Sequence, residues 1–231
     1  MPFSYRHSLL RIGERLTPQV LRGVRGIAKY LEVGYVMRQM GFPLQRVEHW
    51  VGNREELFDL VGREVGDRDV FYMEFGVYEG RATRYWSKLL RNPNAKLHGF
   101  DSFEGLPEDW HEVKKVMKKG HFSTDGALPV VDDARVRFFK GWFEKTLADY
   151  RVPEHQVLVL NFDADLYSST KCVFDRIAPY IVPGAYLYFD EFSCTQDELR
   201  AFREHRAASP YRFALRGATT ALQNVLFQCV A

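Results

Sequence analysis

Long apolar runs are missing from this chain. No stretch approaches the ~18–20 residues that a bilayer-spanning helix needs, so no membrane span is expected. An excess of one charge sign is missing too. Thirty-two basic residues offset 30 acidic ones, a balance that argues against a dedicated nucleic-acid binder, which carries a clear basic excess. Cysteine is scarce, with only Cys172, Cys194 and Cys229. Their spacing matches no zinc pattern, and an odd, low count fits a reducing compartment. The N-terminus carries basic residues but no apolar segment followed by a cleavage site. The expected location is therefore the cytoplasm. Internal repeats and low-complexity runs are also absent. What the chain does have is length and apolar content. Its 231 residues, 46% hydrophobic, are enough to bury a substantial core in one large domain, or one domain with a helical extension.

Residues 1–66 lack a strand pattern and read as a helical extension. LTPQVLRGVRGIAKYLEVGYVMRQM spaces its apolar residues by three and four. Asn53 reads as an N-cap, with Glu55 and Glu56 in the first turn of a helix that stops near Gly66. Arg6, Arg11, Arg15, Arg22 and Arg25 are expected on a solvated face. From residue 67 onward strands alternate with helices. VFYMEFG, KLHGFD, RVRFFKG, QVLVLNFD and AYLYFDEF read as strands. ATRYWSKLLRN, WFEKTLADY, TKCVFDRIAPYI and TQDELRAFREHRA read as helices. YRFALRG and ALQNVLFQCV close the chain as an antiparallel hairpin. The fold expected is α/β: an open, mostly parallel sheet of Rossmann type with helices on both faces.

Two of these strands end in acids, Asp163-Ala164-Asp165 and Asp190-Glu191. A buried charge is costly unless it is paired or binds a cation. The two ends are joined by a single crossover helix, and a right-handed βαβ unit brings them side by side. Such a carboxylate group is a hard oxygen site suited to Mg²⁺ or a similar ion. The first strand ends differently, in Glu74-Phe75-Gly76-Val77-Tyr78-Glu79-Gly80. A glycine turn at the carboxyl edge of a parallel sheet lets a ligand approach the backbone. Asp101 ends the second strand 27 residues after Glu74, where an acid accepts hydrogen bonds from ribose hydroxyls. The turn is not G-x-G-x-x-G, because Tyr78 takes the middle glycine position. That disfavours NAD and FAD and favours a nucleoside without phosphates.

EFGVYEGRATRYW, HGFDSFEGLPEDW, FFKGWFEKTL, NFDADLYSSTK and IVPGAYLYFDEF, in this order, resemble the TylF-type O-methyltransferases. The resemblance covers roughly Phe71 to Phe192. It implies a class I methyltransferase that uses S-adenosylmethionine (SAM) and Mg²⁺, or another divalent cation, to methylate a hydroxyl of a sugar or glycosylated small molecule. It also implies site roles. Glu74, Gly76 and Gly80, with Tyr78 in the same turn, would surround the methionine part of SAM. Asp101 would bind the ribose with Ser102 beside it, and Gly141 and Trp142 would lie along the adenine. Asp163, Asp190 and Glu191 would hold the metal, with Asp163 also bordering the cofactor, and Asp165 would be the general base. Two features depart from the family pattern. Many relatives carry Asp-Asp where this chain has Asp190-Glu191, and the longer glutamate arm changes the geometry. Asn161-Phe162 precedes Asp163 where a shorter polar lead-in is expected.

Leu106 to Asp133 is long for a connection and carries Trp110, His111, Lys114, Lys115, Lys118, Lys119, His121 and Phe122. It reads either as a lid over the ligand edge or as a solvated basic helix. His205 is expected at the surface. The aromatic-rich N-terminal region could supply a homodimer contact. An alternative function rests on the same Asp163-Ala164-Asp165, since an apolar strand ending in D-x-D also holds the metal of nucleotide-sugar glycosyltransferases. The glycine turn and Asp101 favour the methyltransferase reading.

Overall fold

The apolar runs pair into one eight-stranded sheet in a computed structural model that describes Ile12, residues 17–112 and residues 115–231. Arg6, Arg11, Arg15 and Lys114 lie outside the described residues, as does the side chain of Arg22. Across the sheet the order is β1 (His49–Val51), β9 (Arg212–Thr219), β10 (Val225–Val230), β8 (Tyr186–Phe189), β7 (Val157–Phe162), β2 (Val70–Phe75), β3 (Lys96–Asp101) and β6 (Val136–Lys140). Only β10 runs against its neighbours, and with β9 it forms the expected closing hairpin. β4 (Trp110–His111) and β5 (Val116–Met117) make a separate small hairpin.

Among the described residues the strands are accompanied by the α-helices α1 (Pro18–Gln39), α2 (Arg54–Val65), α3 (Arg81–Leu89), α4 (Phe143–Thr146), α5 (Tyr167–Ile177) and α6 (Glu198–Ala208). Asn53 caps α2 by accepting the Glu56 amide at 3.1 Å, and Gly66 ends it, as the sequence predicts. β2, β7 and β8 are buried along their whole length. Both faces of the sheet are covered, which explains why these strands read as nearly continuous apolar runs. Side chains alternate between the faces. One face presents Phe75, Phe100, Phe162 and Phe189, and Phe202 of α6 packs there. The other presents Tyr72, Val159 and Tyr188 against Leu57, Phe58, Val61 and Val65 of α2 and Trp86 of α3.

Three elements differ from expectation. β1 lies within the region read as purely helical and pairs parallel with β9 at the sheet edge. Three residues, two of them exposed, carry no periodic signal of their own. α4 is a single turn rather than the full WFEKTLADY. The Leu106–Asp133 segment carries the β4–β5 hairpin and no helix among its described residues. There Lys118 pairs with Asp109 at 2.7 Å. Among the described residues, no helix is long and apolar enough to cross a membrane.

Candidate active site

The α2–α3 face turns polar as its strands reach their carboxyl ends. Continuing the alternation, Tyr72 gives way to Glu74, Val159 to Asn161 and then Asp163, and Tyr188 to Asp190. Each of these polar groups finds a partner. The Asn161 amide donates to the Tyr72 hydroxyl at 2.9 Å, and that hydroxyl donates to Glu74 Oε2 at 3.0 Å. Thr83 Oγ1 of α3 donates to the same carboxylate oxygen. Burial, only partly offset by these donors, pushes the Glu74 carboxyl up to about 7.

The turn after β2 is shaped by close backbone approach. Gly76 has φ +89°, and a Cβ there would stand 1.8 Å from the Asp163 carbonyl oxygen. The Asp163 amide in turn donates to the Phe75 carbonyl at 2.9 Å. Glycine is therefore required for the ends of β2 and β7 to touch. Gly80, at φ +74°, caps α3, and a Cβ there would meet the Pro129 ring at 2.9 Å. Tyr78 sits at φ +52° with its ring against Phe122.

Asp101 holds this turn in place. Its Oδ2 accepts the amides of Val77 and Tyr78 at 2.7 and 2.8 Å, and its Oδ1 accepts the Phe103 amide at 2.7 Å. A carboxylate oxygen has two lone pairs, so Oδ1 keeps one for a further donor. Ser102 is buried, accepting the Glu104 amide at 3.0 Å and donating to the Gly105 carbonyl. Glu74, Gly76, Tyr78, Asp101, Ser102, Gly141 and Trp142 line one cavity of about 850 Å³. Asp163, Asp165, Asp190 and Glu191 line it as well. Gly80 stays behind the wall, at the cap.

The acids bring in residues that sequence reading did not single out. Arg54, the first residue of α2, donates through Nη1 to Asp190 Oδ1 at 3.1 Å and to Asp163 Oδ2 at 3.3 Å. Asp190 also accepts from the Tyr188 hydroxyl and, at 2.9 Å, from Asn224 Nδ2. Glu198, the first residue of α6, is fully buried. Its two carboxylate oxygens accept the amides of Ala164 (3.3 Å) and Glu191 (3.0 Å), tying both acidic segments to one side chain. Nothing local marks Arg54 or Glu198. Each stands at a helix start, and their partners lie far away in sequence.

Burial and mutual repulsion dominate the electrostatics. Asp163 is driven well above the usual carboxylate range by burial, then by Asp190 and Asp165, against the pull of Arg54. Asp165 is driven up by burial, then by Glu191 and Asp190. It sits at φ +60°, and its carboxylate makes no hydrogen bond to the described residues. Glu191 is pushed up to about 7 by burial and by Asp190 and Glu112. Its Oε2 accepts from Gln223 Nε2 at 2.6 Å. It also approaches Glu112 and Cys194, with one ligand atom of each of the three within 4.8 Å of the others. Asp163, Asp165, Asp190 and Glu191 are hard oxygen donors of the type a divalent cation takes, and they share one cavity wall. Among the described residues, however, it is Glu112, Glu191 and Cys194, not these four, whose ligand atoms converge within 4.8 Å.

The β4–β5 hairpin walls the other side. Leu106, Trp110 and Met117 pack with Leu166 and Cys194, and Trp110 Nε1 donates to Asp197 Oδ2 at 3.0 Å. Lys115, Lys119 and Phe122 reach the cavity from this segment. α1 packs beside this wall without lining the cavity, with Thr195 Oγ1 donating to Glu32 at 3.1 Å and Lys29 Nζ 3.9 Å from Cys194 Sγ. His205 is remote from the cavity and stacks on Phe174 at 4.4 Å, rather than standing free at the surface.

Strand order, the single reversed strand and the ligand cavity at the carboxyl edge define a class I methyltransferase fold. The family model of the macrocin-O-methyltransferases (TylF) matches residues 65–216, and the chain belongs to that family. It is 29% identical over 138 residues to 8-demethyl-8-(2,3-dimethoxy-alpha-L-rhamnosyl)-tetracenomycin-C 4'-O-methyltransferase of Streptomyces olivaceus, covering 52% of each chain. It is 28% identical over 172 residues to demethyldecarbamoylnovobiocin O-methyltransferase of Streptomyces niveus, covering 67% of this chain and 63% of the relative. The chain thus spans about half to three fifths of these relatives' length. Among solved structures, the calicheamicin methyltransferase CalS11 matches with TM-score 0.57 and 26% identity over 76% of this chain and 80% of the other. The O-methyltransferase NovP matches in fold, with TM-score 0.53 and 19% identity over 88% of this chain and all of the other.

Proposed function

We propose that this chain is a SAM-dependent, divalent-cation-dependent O-methyltransferase acting on a sugar hydroxyl of a glycosylated small molecule. The observation that carries the proposal is the single cavity that places the Glu74–Asp101 turn beside the four acids. Family membership and a relative named as the 4'-O-methyltransferase of a rhamnosyl-tetracenomycin support the sugar acceptor.

When bound, SAM supplies a sulfonium methyl group and a divalent cation supplies Lewis acidity that orients a hydroxyl and lowers its pKa. The chain's own residues do the rest. Asp101 offers its remaining Oδ1 lone pair to a ribose hydroxyl while holding the turn amides. Gly141 and Trp142, which line the cavity, would hold the adenine. Asp163, Asp190 and Glu191 would be the cation's oxygen donors. Asp165, unbonded and with raised proton affinity, receives the acceptor's proton. The hairpin, which lines the cavity through Trp110, would exclude water and shape the acceptor side.

Two further parts of the reading rest on other features. α1 leaves Val20, Val24, Ile27, Leu31 and Tyr35 exposed at helical spacing, a stripe that supports a homodimer contact. A cytoplasmic location is consistent with three free thiols.

Calorimetric titration with SAM and with UDP-sugars tests the proposal. Micromolar SAM binding is expected, with methyl transfer lost in EDTA. Tight UDP-sugar binding without a SAM response would instead support the glycosyltransferase alternative at Asp163-Ala164-Asp165. Full activity in EDTA would remove the cation.

A further inference from the structure

We infer that Arg54 is a resident counter-ion of the acidic pair that a divalent cation has to displace, so that this one side chain sets the metal affinity of the site. The inference rests on the divalent-cation part of the proposed function. Its starting point is the shared donor: a single nitrogen, Nη1, stands 3.1 Å from Asp190 Oδ1 and 3.3 Å from Asp163 Oδ2. An ion bridging two carboxylates on neighbouring strand ends would occupy that same position. Metal–oxygen distances of about 2.0–2.6 Å leave no room for a guanidinium nitrogen between the same two oxygens. The two cations also repel each other in a cavity wall where water screens poorly. They are therefore alternative occupants.

The arginine's position suits that exchange. Arg54 begins α2, so its backbone is fixed by the Asn53 cap while its side chain reaches inward over the strand ends. Its Nε already lies 3.9 Å from Glu55 Oε1. Glu55 is held on its far side by Arg81, an exposed side chain that water can take over. A short swing thus moves Arg54 from the Asp163–Asp190 pair to Glu55 without leaving its charge unpaired. Among the described residues, Arg54 is the cation that forms a salt bridge with any of Asp163, Asp165, Asp190 and Glu191. Without it, the metal-free protein would hold the repelling pair uncompensated. An oxygen site this acidic would otherwise bind divalent ions tightly and without need of substrate. The arginine weakens that binding.

The test uses Mn²⁺ alone, titrated by calorimetry into the full chain without SAM. Arg54→Gln removes the charge while keeping a polar side chain in the same place, and its Mn²⁺ dissociation constant is expected to fall about tenfold or more. Arg54→Lys keeps the charge but cannot reach both carboxylates, and should fall in between. In EDTA the Gln variant should melt below the wild type, with added Mn²⁺ closing the gap. A residue that only supports the site would show the opposite trend, weaker metal binding on removal. Equal or weaker Mn²⁺ binding by folded Arg54→Gln and Arg54→Lys overturns the inference and leaves the metal site standing. Absence of Mn²⁺ binding by wild type and both variants removes the metal site and the inference together.

Discussion

Glu74 shows how much one buried carboxyl can report. Its pKa of about 7 exceeds the ordinary 4.5, so between those values the native state holds a proton that the unfolded chain has released. Stability is then fully present below about pH 4.5 and declines as pH rises through 7. Across about pH 5 to 8 this group alone accounts for roughly 2–3 kcal/mol, and Glu191 acts in the same sense. Glu74→Gln should flatten the metal-free urea-unfolding profile over that range. An equally steep profile in the variant would place the pH dependence elsewhere. Asp165 gives a cleaner prediction. Its left-handed backbone is one that asparagine tolerates, so Asp165→Asn should fold normally and keep metal affinity. Its turnover should fall by about 10²–10⁴; an unchanged rate would remove Asp165 as the proton acceptor. The acids were legible because a charged strand end is expensive. Arg54 was not, because its meaning depends on partners 109 and 136 residues away.

Elements were legible in proportion to how far their own sequence determines them. β2, β7 and β8 are buried on both faces and announce themselves as apolar runs. β1 exists only because β9 offers it a free edge, and the Leu106–Asp133 segment is organised by Trp110 docking onto Asp197 rather than by any internal period. Glu198 works between elements, since from α6 it satisfies one amide after β7 and one after β8. Glu198→Ala orphans both and should cost about 1–3 kcal/mol, measurable by chemical denaturation, with weakened Mn²⁺ binding. α1 makes the complementary case. Its exposed stripe predicts that Leu31→Glu, at a position 71% exposed, leaves the melting temperature within a few degrees but shifts a dimer to monomer in light scattering. Unchanged mass would show that the stripe does not hold copies together.

At the scale of the molecule, alternation of strands and helices was enough to predict a mostly parallel sheet with a reversed closing strand, and the structure has both. The glycine turn and Asp101 lie along the cavity at the carboxyl edge, although the glycines owe their necessity to protein contacts rather than to open space. What the sequence left open was how the two halves of the site join. The answer is the backbone contact at Gly76 and Asp163. Where main chain meets main chain, neither loop can be redrawn without the other. Under the proposed function, acceptor choice is expected to lie in the parts set against the site without being fused to it, the β4–β5 hairpin that lines the cavity and α1 that packs beside it. An engineer seeking a new acceptor has the same two segments to graft, and a chimera exchanging them should inherit its donor's substrate while keeping its host's methyl-transfer machinery.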